Sequence, residues 1–158
     1  MVVRAVRCVL DAGVATHIVL DVCAPTADLL RACTGLPVQV RETIRAHTGK
    51  RMPAADGSLR LVHDARRPLT PPGVVEAVVD AVLHGHDAAV AALPLTDTVK
   101  LVDADGLVRG TPDRDGLRVI QSPKAWRTEA AVAHLVPGHP HAFPVRTEWD
   151  LELAEQLL

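Results

Sequence analysis

Residues 59–68 read Leu59-Arg60-Leu61-Val62-His63-Asp64-Ala65-Arg66-Arg67-Pro68. The apolar residues of this segment predict a short buried strand, which runs into a cluster of charge closed by Pro68. A buried strand that ends in acidic and basic side chains is how an open α/β sheet presents a site at its carboxyl edge. Asp64 can bind a metal or a hydroxyl group, and Arg67 can bind a phosphate or a carboxylate through its planar guanidinium. The same residues also fit an ordinary strand end with a solvated ion pair, and both interpretations stay open here.

The composition indicates one globular domain over residues 1–158. Aromatic side chains are scarce, so the core must be built from Val, Leu and Ala, and a surface for stacking nucleic-acid bases is not expected. The net charge of -2 argues against a general nucleic-acid or membrane-surface binder, because such binding depends on excess Lys and Arg. No apolar run reaches the roughly 18 residues that predict a membrane span.

The cysteines and the N-terminal residues indicate the cellular compartment. The three cysteines, Cys8, Cys23 and Cys33, show no C-x-x-C spacing, and their number is odd. Charged residues interrupt every candidate apolar run near the N-terminus, so no signal peptide is predicted. We therefore expect reduced thiols in a cytoplasmic protein.

Helical and extended patterns alternate up to residue 95. Strands are predicted at 17–23, 37–40, 59–62 and 88–95, with 17–23 and 88–95 buried. Helices are predicted at 1–12, 26–35, 41–47 and after Thr70, with Thr26 and Thr70 as N-caps and a polar loop at 48–58. This order implies a mostly parallel sheet with right-handed crossovers.

The pattern changes at Thr98. Short alternating apolar runs surround turn signals at 104–106 and 113–116, which predicts antiparallel hairpins added to the parallel core. Ser122-Pro123 is predicted to open a helix through Trp126, and residues 135–136 are predicted to form a last strand. Thr147 followed by Asp150 resembles a capping box, which predicts a C-terminal helix.

The chain contains no Walker loop, no G-x-G-x-x-G and no G-x-S-x-G motif, so it lacks a recognisable Gly-rich phosphate cradle. The histidine pairs at 84 and 86 and at 139 and 141 are typical of loops rather than of metal sites. What remains is a set of polar residues at strand ends and turns: Asp64, Arg67, Thr98, Lys100, Arg114 and Ser122. Singly, each has a structural interpretation, such as cross-hairpin pairing for Thr98 or a solvated turn for Arg114. Together they suggest a pocket for a small phosphorylated polyol, because guanidinium and hydroxyl groups suit that ligand.

Five segments occur in a recognisable order: Val62-His-Asp-Ala-Arg-Arg-Pro68, Leu93-Pro-Leu-Thr-Asp-Thr-Val-Lys100, Asp113-Arg-Asp-Gly-Leu117, Gln121-Ser-Pro-Lys124 and Asp150-Leu-Glu-Leu-Ala154. They resemble the 2-C-methyl-D-erythritol 4-phosphate cytidylyltransferase family, most strongly between Leu61 and Trp126. The resemblance implies a nucleotide-binding, Rossmann-like α/β fold with an inserted antiparallel β-arm at about 97–121, and a homodimer formed through that arm. It also implies Mg²⁺-dependent cytidylyl transfer from CTP to methylerythritol phosphate in isoprenoid precursor synthesis, with release of pyrophosphate.

The resemblance assigns roles residue by residue. Asp64 and Arg67 match residues around the substrate polyol, and Thr98 and Arg114 match arm residues that reach the substrate of the other subunit. Ser122 stands where the family usually has Thr, which keeps the hydroxyl. Thr43 is a weaker local match to a serine near the cytosine.

The chain departs from the family at the donor end of the site. The family opens with a strand and a Gly-rich loop whose Arg and Lys grip the triphosphate, whereas this chain begins at the helix that follows. Pro144 stands where the family carries a Lys, and a stretch with a substrate-binding threonine between Ala131 and Leu135 has no counterpart. Because such a transfer is catalysed mainly by positioning and fixed positive charge, each lost donor costs about 3 to 4 kcal/mol of transition-state stabilisation.

Three hypotheses stay open. In the first, the chain is the enzyme itself. In the second, it is a non-catalytic homologue that binds a sugar or polyol phosphate, or pairs with a full-length partner subunit. In the third, the gene has been assigned too late a start codon, and its true start lies upstream. The resemblance implies that the absent first strand belongs between the strands near Ile18 and Leu61. Its absence predicts a gap, a closed-up pairing or an exposed apolar edge at that place.

Overall fold

The computed structural model describes residues 1–22, 25–42, 59–127 and 132–158. The elements in these ranges are α1 (Val2–Asp11), β1 (Ile18–Val22), α2 (Ala27–Ala32), β2 (Val38–Glu42), β3 (Arg60–Val62), α3 (Pro72–Leu83), β4 (Ala88–Pro94), β5 (Leu101–Val102), β6 (Val108–Gly110), β7 (Arg118–Trp126), β8 (His134–Pro137), a 3-10 turn (Pro140–Ala142) and α4 (Glu148–Gln156). No helix in these ranges is both long enough and apolar enough to cross a bilayer.

The main sheet has four strands in the order β3-β7-β4-β8. β8 pairs with β4 in parallel, whereas β7 runs antiparallel to its two neighbours, β3 and β4. Three of the four strands therefore point in one direction, and β1 and β2 form a separate parallel pair. The predicted α/β class with a mostly parallel sheet is confirmed. β5 and β6 pair as an antiparallel hairpin after Thr98.

The core lies between α3 and the main sheet. Val74, Val78 and Val82 recur at helical spacing on α3 and pack against Ala89 and Ala91 of β4. Full burial of a valine side chain stabilises the fold by about 1.5 to 3 kcal/mol, and the small alanines let the helix approach the sheet closely. The aliphatic core expected from the shortage of aromatic residues is therefore confirmed.

The two parallel-stranded parts are not joined edge to edge. Among the described residues, β1 pairs only with β2 and β3 pairs only with β7. A cavity of about 360 Å³ lies between them, with walls formed by β1, by Leu59 and Leu61, and by side chains of α1 and α3. Within the part of the chain that the structure describes, this cavity leaves a gap between β1 and β3.

Residues 122–126 are the second half of β7, so the helix predicted from Ser122-Pro123 is wrong. The helix signal is local, whereas β7 is paired with β3 on one side and with β4 on the other. Pro123 has no N–H to donate, and it lies where the register against β4 shifts between Val90 and Ala92. Irregular pairing at this point accommodates the missing donor inside a central strand.

Three other local predictions also differ from the structure. Arg41 and Glu42 extend β2 rather than start a helix, and the rest of that predicted helix and the loop at 48–58 lie outside the described residues. Thr70 does not cap α3, because its hydroxyl donates to the carbonyl of Arg67 at 3.0 Å and Pro71 takes the N-cap position. β1 is half-buried rather than buried, because partly buried and exposed residues alternate along it, the pattern of a strand covered on one face.

Two predicted helix starts are confirmed. The side chain of Thr26 accepts a hydrogen bond from the N–H of Leu29 at 3.2 Å. Thr147 accepts from the N–H of Asp150 at 3.1 Å, and the Asp150 carboxylate accepts from the N–H of Thr147 at 2.9 Å. This reciprocal capping box begins α4.

Candidate functional site

A cleft of about 880 Å³ opens at the carboxyl end of β3. It is lined by β1, by residues 59–67 and by residues of β7 between Ile120 and Lys124. Its walls carry five basic side chains and two carboxylates: Arg41, Arg60, Arg66, Arg67 and Lys124, with Asp21 and Asp64. This excess of positive charge favours an anionic ligand.

Ser122 joins β7 to the residues that follow β3. Its Oγ accepts a hydrogen bond from the backbone N–H of Asp64 at 2.7 Å and lies 2.8 Å from Nδ1 of His63. The other ring nitrogen of His63, Nε2, lies 3.3 Å from the carbonyl oxygen of Arg67. Residues from two separate parts of the sequence are thus fixed together at the edge of the cleft.

Asp64 is held by Arg66. The carboxylate accepts hydrogen bonds from Nη2 of Arg66 at 2.9 Å, from Nε at 3.1 Å and from the backbone N–H at 3.0 Å. Burial raises the pKa of Asp64, but the hydrogen bonds from Arg66 and the charges of Arg66 and Arg67 outweigh it, so the pKa lies below its ordinary value. The carboxylate is therefore ionised and fixed in direction.

Arg67 has a different environment. Its Nη1 donates to the carbonyl of Ala142, and among the described residues no carboxylate forms an ion pair with it. Burial lowers the pKa of Arg67; the charges of Arg146 and Arg66 add to this, and that of Asp64 opposes it. A half-buried guanidinium in a cleft wall, without a neutralising carboxylate, is suited to a phosphate.

The segment after β8 supports this arrangement. The backbone N–H of Val145 donates to the carbonyl of Arg66 at 2.7 Å. The side-chain amide of Gln121 donates to the carbonyl of His139 at 3.0 Å, and its oxygen accepts from the N–H of His139 at 2.9 Å. The segment after β8 is thus bonded both to the loop after β3 and to β7.

Thr98 and Arg114 do not line the cleft. Both are exposed, and Nη1 of Arg114 donates to the carbonyl of Thr96 at 2.7 Å, at the base of the β5–β6 hairpin. Lys100 lies in the same region, with Nζ 2.6 Å from the hydroxyl of Thr111. Thr43 lies outside the described residues. The structure therefore brings together Asp64, Arg67 and Ser122 of the predicted set.

His63 and Arg66 are the site residues that sequence reasoning missed. They stand inside the segment from which Asp64 and Arg67 were selected, so the signal was present. Spacing does not show which of two adjacent arginines binds the carboxylate, nor that a histidine reaches a serine 59 positions away.

The described residues do not form a Mg²⁺ site. The cleft carboxylates of Asp21 and Asp64 are each bound to an arginine, Arg41 and Arg66, and no group of three potential metal ligands occurs in the part of the chain that the structure describes. Mg²⁺ prefers several oxygen ligands in octahedral geometry. We therefore derive no role for a protein-held Mg²⁺.

The sequence matches the family model for 2-C-methyl-D-erythritol 4-phosphate cytidylyltransferase over residues 1–135. A protein of that name from Nocardia farcinica is 37% identical over 190 aligned residues, covering 100% of this chain and 81% of the relative. One from Frankia casuarinae is 45% identical over 126 residues, covering 65% of this chain and 47% of the relative, so the match spans about half of that relative's length. The chain belongs to the 2-C-methyl-D-erythritol 4-phosphate cytidylyltransferase family.

Solved structures share the fold. The 4-diphosphocytidyl-2C-methyl-D-erythritol synthase of Anaerococcus prevotii superposes with a TM-score of 0.79 at 20% identity, covering 99% of this chain and 87% of that one. The 2-C-methyl-D-erythritol 4-phosphate cytidylyltransferase of Thermus thermophilus gives a TM-score of 0.69 at 23% identity, covering 98% of this chain and 86% of that one. At these identities the likeness shows the fold alone.

Proposed function

We propose that the cleft binds 2-C-methyl-D-erythritol 4-phosphate and that the chain transfers a cytidylyl group to it from CTP. The main support is the convergence of Asp64, Arg67 and Ser122 at the carboxyl edge of β3. A carboxylate and a hydroxyl group suit the hydroxyls of a polyol, and a guanidinium suits its phosphate. These three residues thus fit the acceptor half of a nucleotidyl-transfer site.

In this reaction an oxygen of the acceptor phosphate attacks the α-phosphorus of CTP, and the bond from that phosphorus to pyrophosphate breaks. The protein contributes orientation and positive charge rather than a covalent intermediate. Arg67 orients the attacking phosphate, while Asp64 and Ser122 hold the polyol. Lys124 lies in the cleft wall and is better placed to meet the triphosphate than Lys100, which is bonded to Thr111 in the hairpin.

The alternative is a non-catalytic homologue that binds a polyol phosphate or a full-length partner subunit. The cavity between β1 and β3 favours it, because no strand of the described residues fills that space beside the cleft. A third possibility is a start upstream of Met1. In-frame DNA that encodes a strand and a Gly-rich loop with Arg and Lys would support that possibility, and stop codons there would exclude it.

We further propose a cytoplasmic homodimer formed through an arm at residues 97–121. Its hairpin exposes Leu101, Val102, Leu107 and Val108, each more than half accessible in the single chain. Contiguous exposed apolar side chains mark association surfaces. A dimer of this kind would let Thr98 and Arg114 reach the cleft of the partner.

Pyrophosphate release tests the enzymatic proposal. The chain is incubated with CTP and methylerythritol phosphate, with and without Mg²⁺, beside Arg67→Ala and the control Arg4→Ala, which changes an exposed arginine on α1. We expect release above a blank that Arg67→Ala abolishes and Arg4→Ala retains. No release, together with calorimetric binding of the polyol phosphate, would support the non-catalytic alternative, and absence of both would contradict the two proposals.

Analytical ultracentrifugation tests the dimer. We expect Val108→Asp on β6 to shift the chain to a monomer, because it places a charge in the apolar arm surface. Leu30→Asp changes a leucine on α2 that is about half exposed and should leave the dimer intact. A native chain that sediments as a monomer at all concentrations would contradict the proposal.

A further inference from the structure

The imidazole of His63 links two groups of the cleft wall. Nε2 lies 3.3 Å from the carbonyl oxygen of Arg67, and Nδ1 lies 2.8 Å from the hydroxyl of Ser122. A carbonyl oxygen only accepts hydrogen bonds, so Nε2 carries the proton and Nδ1 presents a lone pair. Burial lowers the pKa of His63 against the opposing effects of the Arg67 carbonyl and the Asp64 charge, which favours the neutral ring.

This arrangement determines the polarity of Ser122. Its O–H donates to Nδ1 of His63, and its Oγ accepts from the backbone N–H of Asp64 at 2.7 Å. A serine hydroxyl has one proton and two lone pairs. Toward the cleft, Oγ therefore retains one acceptor position and no donor.

We propose that His63 is a positioning residue that makes Ser122 a hydrogen-bond acceptor and so selects the hydroxyl end of the ligand at this point. A polyol hydroxyl can donate to Oγ, whereas the oxygens of a phosphate dianion only accept and are disfavoured there. Arg67, which offers only donors, takes the phosphate. The inference rests on the proposed function, in which the polyol end lies at Ser122 and the phosphate end at Arg67, and it names the residue that determines this direction.

Calorimetric titrations at pH 8 with methylerythritol phosphate and with inorganic phosphate test this assignment. His63→Leu and Ser122→Ala should each weaken binding of the polyol phosphate about tenfold and leave binding of inorganic phosphate unchanged. Because the histidine acts through the serine, the double variant should lose no more than either single variant. His63→Asn, whose side-chain oxygen can replace Nδ1 as the acceptor, should restore most of the affinity, and the exposed control His84→Leu should bind both ligands normally.

Two results would overturn the proposal: equal weakening for both ligands, or additive losses in the double variant, since each indicates a purely structural histidine. Nitrogen-15 NMR of the histidine ring keeps the inference testable even if the native chain binds neither ligand, which would contradict the proposed function. We expect a neutral ring protonated at Nε2, with an Nδ1 resonance that shifts in Ser122→Ala. A ring protonated at Nδ1, or an imidazolium at pH 8, would contradict the positioning role on its own.

Discussion

Arg66 holds both carboxylate oxygens of Asp64, with Nη2 2.9 Å from Oδ2 and Nε 3.1 Å from Oδ1. The two residues stand two positions apart in a turn whose carbonyl at Arg66 is in turn bound by the N–H of Val145. The pair fixes the direction of the Asp64 carboxylate at the mouth of the cleft. It also leaves the adjacent Arg67 to a separate role, with its guanidinium against the Ala142 carbonyl.

Acid should weaken the contribution of Asp64 to stability. Burial raises the pKa of this carboxyl, but the Arg66 hydrogen bonds and nearby charges lower it by more. The pKa in the folded chain therefore lies below the ordinary value of 3.8. The folded state then binds this proton less readily than the unfolded state, so the contribution is complete above pH 3.8 and is lost as the pH falls through the folded pKa. Urea unfolding from pH 7 to pH 3 measures this. The difference in the free energy of unfolding between the native chain and Asp64→Asn should become smaller as the pH falls.

The control for this comparison is Asp80→Asn, which changes an exposed carboxylate on α3. We expect its effect on the free energy of unfolding to be small. A gap for Asp64→Asn that stays constant down to pH 3 would contradict the prediction.

Filling the cavity beside β1 should stabilise the chain. Ala5 is buried on α1 and lines the 360 Å³ cavity, so Ala5→Leu has space for its added atoms and should raise the free energy of unfolding by about 0.5 to 1 kcal/mol. Ala91→Leu is the matched control, because Ala91 is fully buried in the packed core and the same change should cost about 1 to 3 kcal/mol by overpacking. Urea unfolding measures both, and equal losses would show that the cavity does not accept a larger side chain.

The contribution of the α4 capping box to stability should be measurable by itself. Thr147→Ala removes the acceptor of the Asp150 N–H and should lower the free energy of unfolding by about 1 kcal/mol. Thr147→Ser keeps the hydroxyl and should retain most of the stabilisation. Amide hydrogen exchange in α4 would locate the loss, and unchanged exchange there in Thr147→Ala would contradict the role of the cap.

Cys8 should be unreactive in the folded chain. Burial, with a smaller effect from the charge of Asp11, raises the pKa of its thiol to about 11. At pH 8 only about one thiol in a thousand is then a thiolate, the form that reacts with iodoacetamide. Mass spectrometry should find Cys8 unmodified after native labelling and modified after labelling in concentrated urea. Equal modification in both would show that the thiol is accessible and ionised without unfolding.

Local features of the fold were predictable because their causes lie within a few residues. The valine stripe of α3 follows from helical spacing, and the caps at Thr26 and Thr147 follow from hydroxyls that reach N–H groups three positions ahead. The α/β class followed in turn from the alternation of such segments.

The site itself was only partly predictable. Asp64, Arg67 and Ser122 were selected by type and position, but Ser122 was assigned to a helix and Arg66 was not distinguished from its neighbour. The bond from the Asp64 N–H to Ser122 joins residues 58 positions apart, and spacing along the chain carries no information on such a contact.

The sequence alone determined the direction of most strands, the apolar stripe of α3, two helix starts and the residue types at the carboxyl edge of β3. Short-range propensity and periodicity are sufficient to predict these features. Only the tertiary structure decided that residues 122–126 are a strand, that Arg66 rather than Arg67 binds Asp64, and that His63 sets the polarity of Ser122. The physical reason is that a central strand, an ion pair and a hydrogen-bonded ring each depend on the geometry of groups brought together by the packing of distant segments. Pairing with β3 and β4 outweighs the local helix signal of Ser122-Pro123.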